Sequence, residues 1–177
     1  MQSELTYAIV PAGPGDAAEL ARVHVGSWQE TYRGMLPQVY LDRMSVAMHA
    51  RRWRTRLMRA GEVTLAAETA QGLVGYCSGE WARGGARPGE AEVTTLYVLR
   101  KAQRAGLGRR LLVATARALQ ARGATSLVIW VLRDNANARR FYERLGGACD
   151  RERDEPIGGG IVVSVAYRWS DIGVLTR

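Results

Sequence analysis

Lysine is nearly missing from this chain. Lys101 is the single example, although lysine and arginine together number 25 and the formal charge at pH 7 is +8. The basic balance is therefore carried by arginine, which suits an anionic ligand, nucleic acid or an anionic surface. Cysteine is just as sparse. Cys77 and Cys149 are solitary and far apart, which argues against a disulfide framework and against a zinc site. His24 and His49 are the two histidines, and neither has a partner at metal-ligand spacing, so no metal is expected. No apolar run approaches the ~20 residues of a membrane span, and no membrane association is expected. The first ten residues lack the basic region and long apolar stretch of a signal peptide; the expected location is cytoplasmic. Also missing are a third glycine for GxGxxG, a Gly-Lys-Ser/Thr loop, internal repeats, and the helix-turn-helix, zinc or RNP patterns of nucleic-acid readers.

What remains is the composition of an ordinary globular domain, 47% hydrophobic and 24% charged over 177 residues. That length fits one domain, 1–177, able to bury a sizeable core. Residues 7–10 read as a strand, broken by Pro11 to Gly15. Asp16 and Glu19 are spaced as a capping box for a helix whose inner face is Ala17, Leu20, Ala21, His24 and Trp28. Shorter helices follow over 38–44 and, with Ser45 as cap, 45–60. Residues 63–68 and 73–80 read as a hairpin, and 81–89 as a loop. Residues 92–99 and 126–132 read as central strands, 108–123 and 136–145 as helices, and 149–155 with 161–169 as a last hairpin across Gly158, Gly159 and Gly160. The fold class is α/β: a mixed sheet flanked by helices.

Two segments carry chemistry. The first is the strand end Leu96-Tyr97-Val98 followed by Gln103-Arg104-Ala105-Gly106-Leu107-Gly108-Arg109. A strand runs into a glycine turn that opens a helix. Amides in the first helical turn have no partner within the helix and attract an anion, above all a pyrophosphate. Gly106 and Gly108 let that anion approach the backbone. The second segment follows the next strand and contains Asn135, Ala138, Tyr142, Glu143 and Gly146. Asn135 also suits the helix cap.

The pair resembles the GNAT superfamily of acetyl-CoA-dependent N-acetyltransferases. Gln103, Gly106 and Gly108 match its first signature, Q/R-x-x-G-x-G/A after "LYV". Asn135, Ala138, Tyr142, Glu143 and Gly146 match its second, N-x-x-A-x-x-x-Y-E-x-x-G. The aromatic residue that often follows the last glycine is replaced by Gly147. The run 27–37, SWQETYRGMLP, is similar to a bacterial subgroup with diverse or unassigned acceptors. The resemblance implies the acyl-CoA N-acyltransferase fold, with a mostly antiparallel sheet and two central strands that splay apart. It implies that the backbone of Leu96, Tyr97 and Val98 pairs with the pantetheine arm of acetyl-CoA, and that residues 103–109, Asn135, Ala138 and Tyr142 complete the cofactor site. Arg100, Lys101, Arg104, Arg109 and Arg110 are suited to its phosphates.

Acetyl transfer to an amine needs an acceptor for the amine proton, donors for the carbonyl oxygen, and a proton for the leaving thiolate. The resemblance assigns the last role to Tyr142. Glu92 is the candidate base. In a regular strand it shares a face with Thr94, Leu96 and Val98, an assignment that a bulge would change. Glu30, Glu80 and Asp154 are in reserve. The resemblance implies an acceptor pocket built from the first helices, the loop between them and the loops of the later hairpins, which supply Trp28, Glu30, Tyr32, Arg33, Met35, Trp81, Arg83 and Arg87; of these Trp28 and Tyr32 are the candidates to touch the acceptor. The expected acceptor is a small-molecule primary amine, an amine that also bears an anionic group fitting the arginine-rich loops. A protein N-terminus or lysine is the alternative, and a basic nucleic-acid-binding module or a non-catalytic acyl-CoA sensor stands in a different class. Pairing of the last strands across a two-fold axis would give a homodimer.

Overall fold

Alternating and continuous apolar runs assemble into one seven-stranded sheet. The computed structural model describes residues 6–84 and 87–177; residues 1–5 of the N-terminal segment and 85–86 of the expected loop lie outside them. The strands are β1 (Ala8–Pro11), β2 (Val63–Thr69), β3 (Gly72–Trp81), β4 (Glu90–Val98), β5 (Ser126–Leu132), β6 (Ala148–Ile157) and β7 (Gly160–Trp169). The helices are α1 (Ala17–Thr31), α2 (Gln38–Asp42), α3 (Val46–Arg56), α4 (Leu107–Gln120), α5 (Ala136–Arg144) and α6 (Gly173–Thr176). The sheet order is β1-β2-β3-β4-β5-β7-β6, antiparallel at every step except β4–β5, which is parallel. Among the described residues no helix is long and apolar enough to cross a membrane.

The parallel pair decides the architecture. β4 and β5 are joined only from Glu90 opposite Ser126 to Val93 opposite Ile129. Beyond that the strands part. Their joined end is locked by charge: Arg168 of β7 makes an ion pair with Glu90 of β4, and its Nε lies 3.0 Å from Asp150 of β6. The side chain of Arg168 is 5% exposed and that of Glu90 is sealed. Charges so deep persist only when paired.

Helices cover both faces. α4 presents Leu107, Leu111, Leu112, Thr115, Ala116 and Leu119 to the larger core, with Val93, Leu127, Ile129 and Trp169 among its partners. The opposite face packs α1 and α3, where Leu20, Ala21, Val23 and Trp53 meet Leu73 and Tyr76. A smaller cluster of Tyr32, Leu36, Leu41 and Leu132 continues that face toward the β6–β7 hairpin.

The structure corrects several local expectations. The capping box at Asp16 and Glu19 does not form. Asp16 accepts instead from the Gly13 amide at 2.8 Å, and Glu19 accepts from the Leu73 amide at 3.0 Å, tying α1 to β3. A tertiary partner has taken the side chain the helix end would have used. α2 and α3 are shorter than the periodicity suggests, and β4 starts two residues early, at Glu90. Ser45 caps α3 as expected, accepting from Met48 N. The short C-terminal α6 was not anticipated.

Candidate functional site

The cleft opened by the parting strands is floored by backbone. Residues 95–98 of β4 pair with β3 on one edge but have no partner on the edge facing β5. Exposed strand edges are templates for another extended chain, so the cleft accepts an extended ligand that can donate and accept along the strand. The Val98 carbonyl already accepts from the Gln103 side chain at 2.8 Å, which holds the turn against the strand end.

The turn then delivers a row of free amides. Those of residues 104–109 donate to no carbonyl or side chain within the described residues. Arg104 and Gly106 both have positive φ, 65° and 73°, and Gly106 is the N-cap of the 14-residue α4 with no side chain capping it. Alternating hand in successive residues gathers amide hydrogens into an anion-binding concavity. Leu107 anchors the helix start in the core at 1% exposure, while Arg104, Ala105 and Arg109 are exposed around it. A Cβ on Gly108 would stand 3.6 Å from the Phe141 ring, so α4 and α5 approach closely at this rim. Of the arginines suited to phosphates, Arg110 is turned aside onto Tyr7, 3.0 Å from its hydroxyl and 4.6 Å above its ring. The pattern of free amides, strand edge and apolar rim fits a pyrophosphate with an amide-bearing arm.

α5 forms the other wall. Asn135, 5% exposed, caps it by accepting from Ala138 N at 3.1 Å, which fixes the helix against the cleft. Tyr142 is buried among Phe141, Tyr167 and Trp169. Its hydroxyl forms no hydrogen bond among the described residues yet is not among the polar atoms cut off from solvent. Burial pushes that hydroxyl well above the ordinary tyrosine range, so it is a proton donor at any working pH.

The α1 side of the cleft is aromatic. Trp28 and Tyr32 stand edge to face at 5.0 Å, and Tyr32 Oη lies 3.3 Å from Tyr97 Oη. Burial raises both tyrosines above their ordinary range, keeping them neutral. Trp28 Nε1 is buried without a partner. The β6–β7 turn closes over this region: a Cβ on Gly158 would lie 2.8 Å from the Tyr40 ring. His24 belongs to the same aromatic layer, bonded to the Tyr76 hydroxyl at 2.7 Å and 4.7 Å from the His49 ring. Among the described residues no His, Cys, Asp and Glu cluster is arranged to hold a metal.

Glu92 requires a correction. β3 and β4 slip by one residue between Ser78–Thr95 and Gly79–Val93, so Thr94 is a bulge. Ala91, Val93, Leu96 and Val98 therefore all face α4, where they join the same core. Glu92 points to the opposite face, with Tyr97, and does not share a face with Leu96 and Val98. Burial is the main reason its carboxyl is raised above the usual range; the charges of Arg153 and Arg151 oppose this, and those of Glu80 and Glu155 add to it.

The reserve carboxylates separate. Glu80 lies opposite Glu92 across the strands and pairs with Arg83 at 2.9 Å. Glu30 is exposed and accepts from the Arg100 amide at 3.0 Å. Asp154 is exposed and alternates to the far side of β6 from Glu155. Trp81 is exposed, and Arg87 pairs with Asp150; neither reaches the aromatic wall. Sequence reasoning missed Trp130, Tyr40, Arg153 and Glu155. Trp130 carries Arg153 over its ring at 4.0 Å, and Glu155 accepts from buried Ser164 at 2.6 Å. The β6 sequence reads as a solvated charged strand, and only its pairing with β7 shows which charges turn inward.

Residues 25–147 match the profile of the Acetyltransferase (GNAT) family. The chain is 28% identical over 160 residues to the uncharacterized N-acetyltransferase YuaI of Bacillus subtilis, covering 90% of this chain and 91% of the relative. The fold is similar to that of the PaiA N-acetyltransferase of Thermoplasma acidophilum, solved in complex with coenzyme A, at TM-score 0.72 and 18% identity over 90% of this chain and 98% of the other. It is also similar to YncA, a putative acetyltransferase of Salmonella typhimurium solved with acetyl-CoA, at TM-score 0.70 and 19% identity over 93% of each chain.

Proposed function

Because the chain belongs to the acetyltransferase (GNAT) family, we propose that this N-acetyltransferase moves the acetyl group of acetyl-CoA directly onto the primary amine of a small molecule, both substrates being bound at once. The observation that carries this reading is the unpaired edge of β4 after Val93, leading through the 3-10 turn Arg100–Ala102 to the free amides at the start of α4. When bound, acetyl-CoA supplies the acetyl group as a thioester. Residues 96–98 hold the pantetheine arm along the strand edge, and the amides of 104–109 hold the pyrophosphate. Two relatives of this fold are described as carrying coenzyme A or acetyl-CoA, which supports the same use here.

The proton traffic follows from the two walls. Glu92, with its raised carboxyl pKa, accepts the amine proton. The neutral amine attacks the carbonyl carbon, the carbon–sulfur bond breaks, Tyr142 donates its hydroxyl proton to the departing sulfur, and the second proton shed by the nitrogen returns to the Tyr142 oxygen. Free amides at the strand edge donate to the carbonyl oxygen. A small acceptor is favoured because the packing of Gly158 on Tyr40 roofs the aromatic side of the cleft.

Calorimetric titration with acetyl-CoA, desulfo-CoA and AMP tests the cofactor assignment. Micromolar acetyl-CoA binding that is lost when Gly106 and Gly108 carry bulky side chains is expected. Thiol release over an amine library then tests transfer. No binding at millimolar acetyl-CoA overturns the reading.

A further inference from the structure

Tyr142 has to be held from behind. Its hydroxyl makes no hydrogen bond among the described residues, so the place of that hydroxyl is set by the ring and by the helix that carries it. Both are seated on β7. Tyr167 and Trp169 are two residues apart on that strand and share a face. Their ring centroids lie 5.9 and 6.2 Å from that of Tyr142. Trp169 Nε1 donates to the Leu145 carbonyl at 2.8 Å, just past the end of α5. A Cβ at position 147 would meet the Trp169 ring at 2.8 Å, so Gly147 makes room for it.

Tyr167 grips the helix itself. Its hydroxyl accepts from Arg139 Nε at 3.1 Å and donates to Glu143 Oε1 at 2.6 Å. Arg139 and Glu143 are one helical turn apart, a spacing at which opposite charges ordinarily pair with each other. Here one phenol is bonded to both. Arg139 Nη1 also donates to the Arg133 carbonyl at 3.1 Å, in the turn that follows β5. Rotation or sliding of α5 would break these bonds together. Tyr142 lies on the turn so fixed, three residues after Arg139 and next to Glu143.

We propose that Tyr167 is a positioning residue for acetyl transfer: by bonding Arg139 and Glu143 it fixes the turn of α5 that aims the Tyr142 hydroxyl at the departing sulfur. The assignment rests on the reading of Tyr142 as proton donor. Tyr167 acts only through Tyr142, its own proton being held by Glu143.

A double-mutant cycle separates aim from packing. In the full-length protein, kcat is measured for Tyr167→Phe, Tyr142→Phe and the double variant, and acetyl-CoA affinity by calorimetry. Tyr167→Phe keeps the ring and loses both bonds to α5. It is expected to lower kcat about 10–100-fold, the scale of a misplaced reacting group. Acetyl-CoA affinity, carried by β4 and α4 in this reading, should stay within about twofold. In the Tyr142→Phe background the same change should cost no more than about twofold, because the donor it aims is gone. Glu143 is exposed. Glu143→Ala is expected to match Tyr167→Phe, and Glu143→Gln, whose amide oxygen still accepts from the phenol, to restore most of kcat. Should Tyr167→Phe fail to fold, Glu143→Ala repeats the cycle from the helix side. Losses that multiply in the double variant, or wild-type kcat in Tyr167→Phe or Glu143→Ala, overturn the proposal. Wild-type kcat in Tyr142→Phe alone overturns the proton-donor reading, and the proposal with it.

Discussion

Buried Tyr142 and half-buried Glu92 make no side-chain hydrogen bond among the described residues, so exchange at either is expected to leave the fold in place. The Tyr142 hydroxyl has no hydrogen bond to lose among the described residues, and its ring contacts remain in Tyr142→Phe. The thermal midpoint is therefore expected to hold while kcat falls about 10²–10⁴-fold, the range of one proton-transfer group. Glu92 has a raised carboxyl pKa, so its ionised form opposes folding above the ordinary carboxylate range. Glu92→Gln removes that charge. At pH 7 the variant should unfold no earlier than wild type while losing activity on a similar scale. The wild-type kcat/KM should also show an acid limb above the usual carboxylate range of about 4.3, absent from the variant. A thermal shift comparable to that of a core mutant would assign either residue to packing.

Elements explain how the residues come together, and also which parts of the site the sequence made legible. The glycine turn, the strand before it and the second helix carry local signals: a positive-φ requirement at Gly106, an apolar run in β5, an Asn cap at 135. Each is set by neighbours in the chain, so each was readable. The face on which Glu92 sits was not. It depends on the Thr94 bulge, which arises from the register of β4 against β3. Glu155 was hidden for the same reason, since the register of β6 against β7 shifts between Cys149 and Glu152. The joined end of the β4–β5 pair gives a test of this architecture. Glu90 is sealed beneath Arg168, and Glu90→Ala leaves that buried guanidinium with Asp150 as its remaining carboxylate partner. A loss of about 1–3 kcal/mol is expected in urea unfolding, with acetyl-CoA affinity falling as the two strands lose their fixed pivot. Retention of full stability would mean that strand pairing alone holds the sheet closed there.

At the scale of the whole molecule, charge of one sign dominates, and the two histidines meet it in the α1–α3 layer. Burial chiefly, then the charge of His49 and of Arg56 and Arg52, lowers His24 to about 3. His49 is lowered by burial and by Arg52. The folded protein therefore keeps both imidazoles neutral where the unfolded chain protonates them. Their contribution to stability is complete above the unfolded value of about 6.5 and is lost progressively as pH falls through it. For His24 the loss continues toward pH 3, at no more than about 1.4 kcal/mol per pH unit. Glu62 and Glu92, both raised mainly by burial, act with the opposite sign, since they take up protons more readily when folded. Wild type alone thus reports a sum. His24→Gln retains a hydrogen-bonding group beside Tyr76 and removes the titration. The difference between the two unfolding free energies should be flat above pH 7 and should narrow steadily between pH 6 and 4. High salt should reduce the slope by screening the arginines. A difference independent of pH would mean that His24 is reached by water and protonates in the folded state.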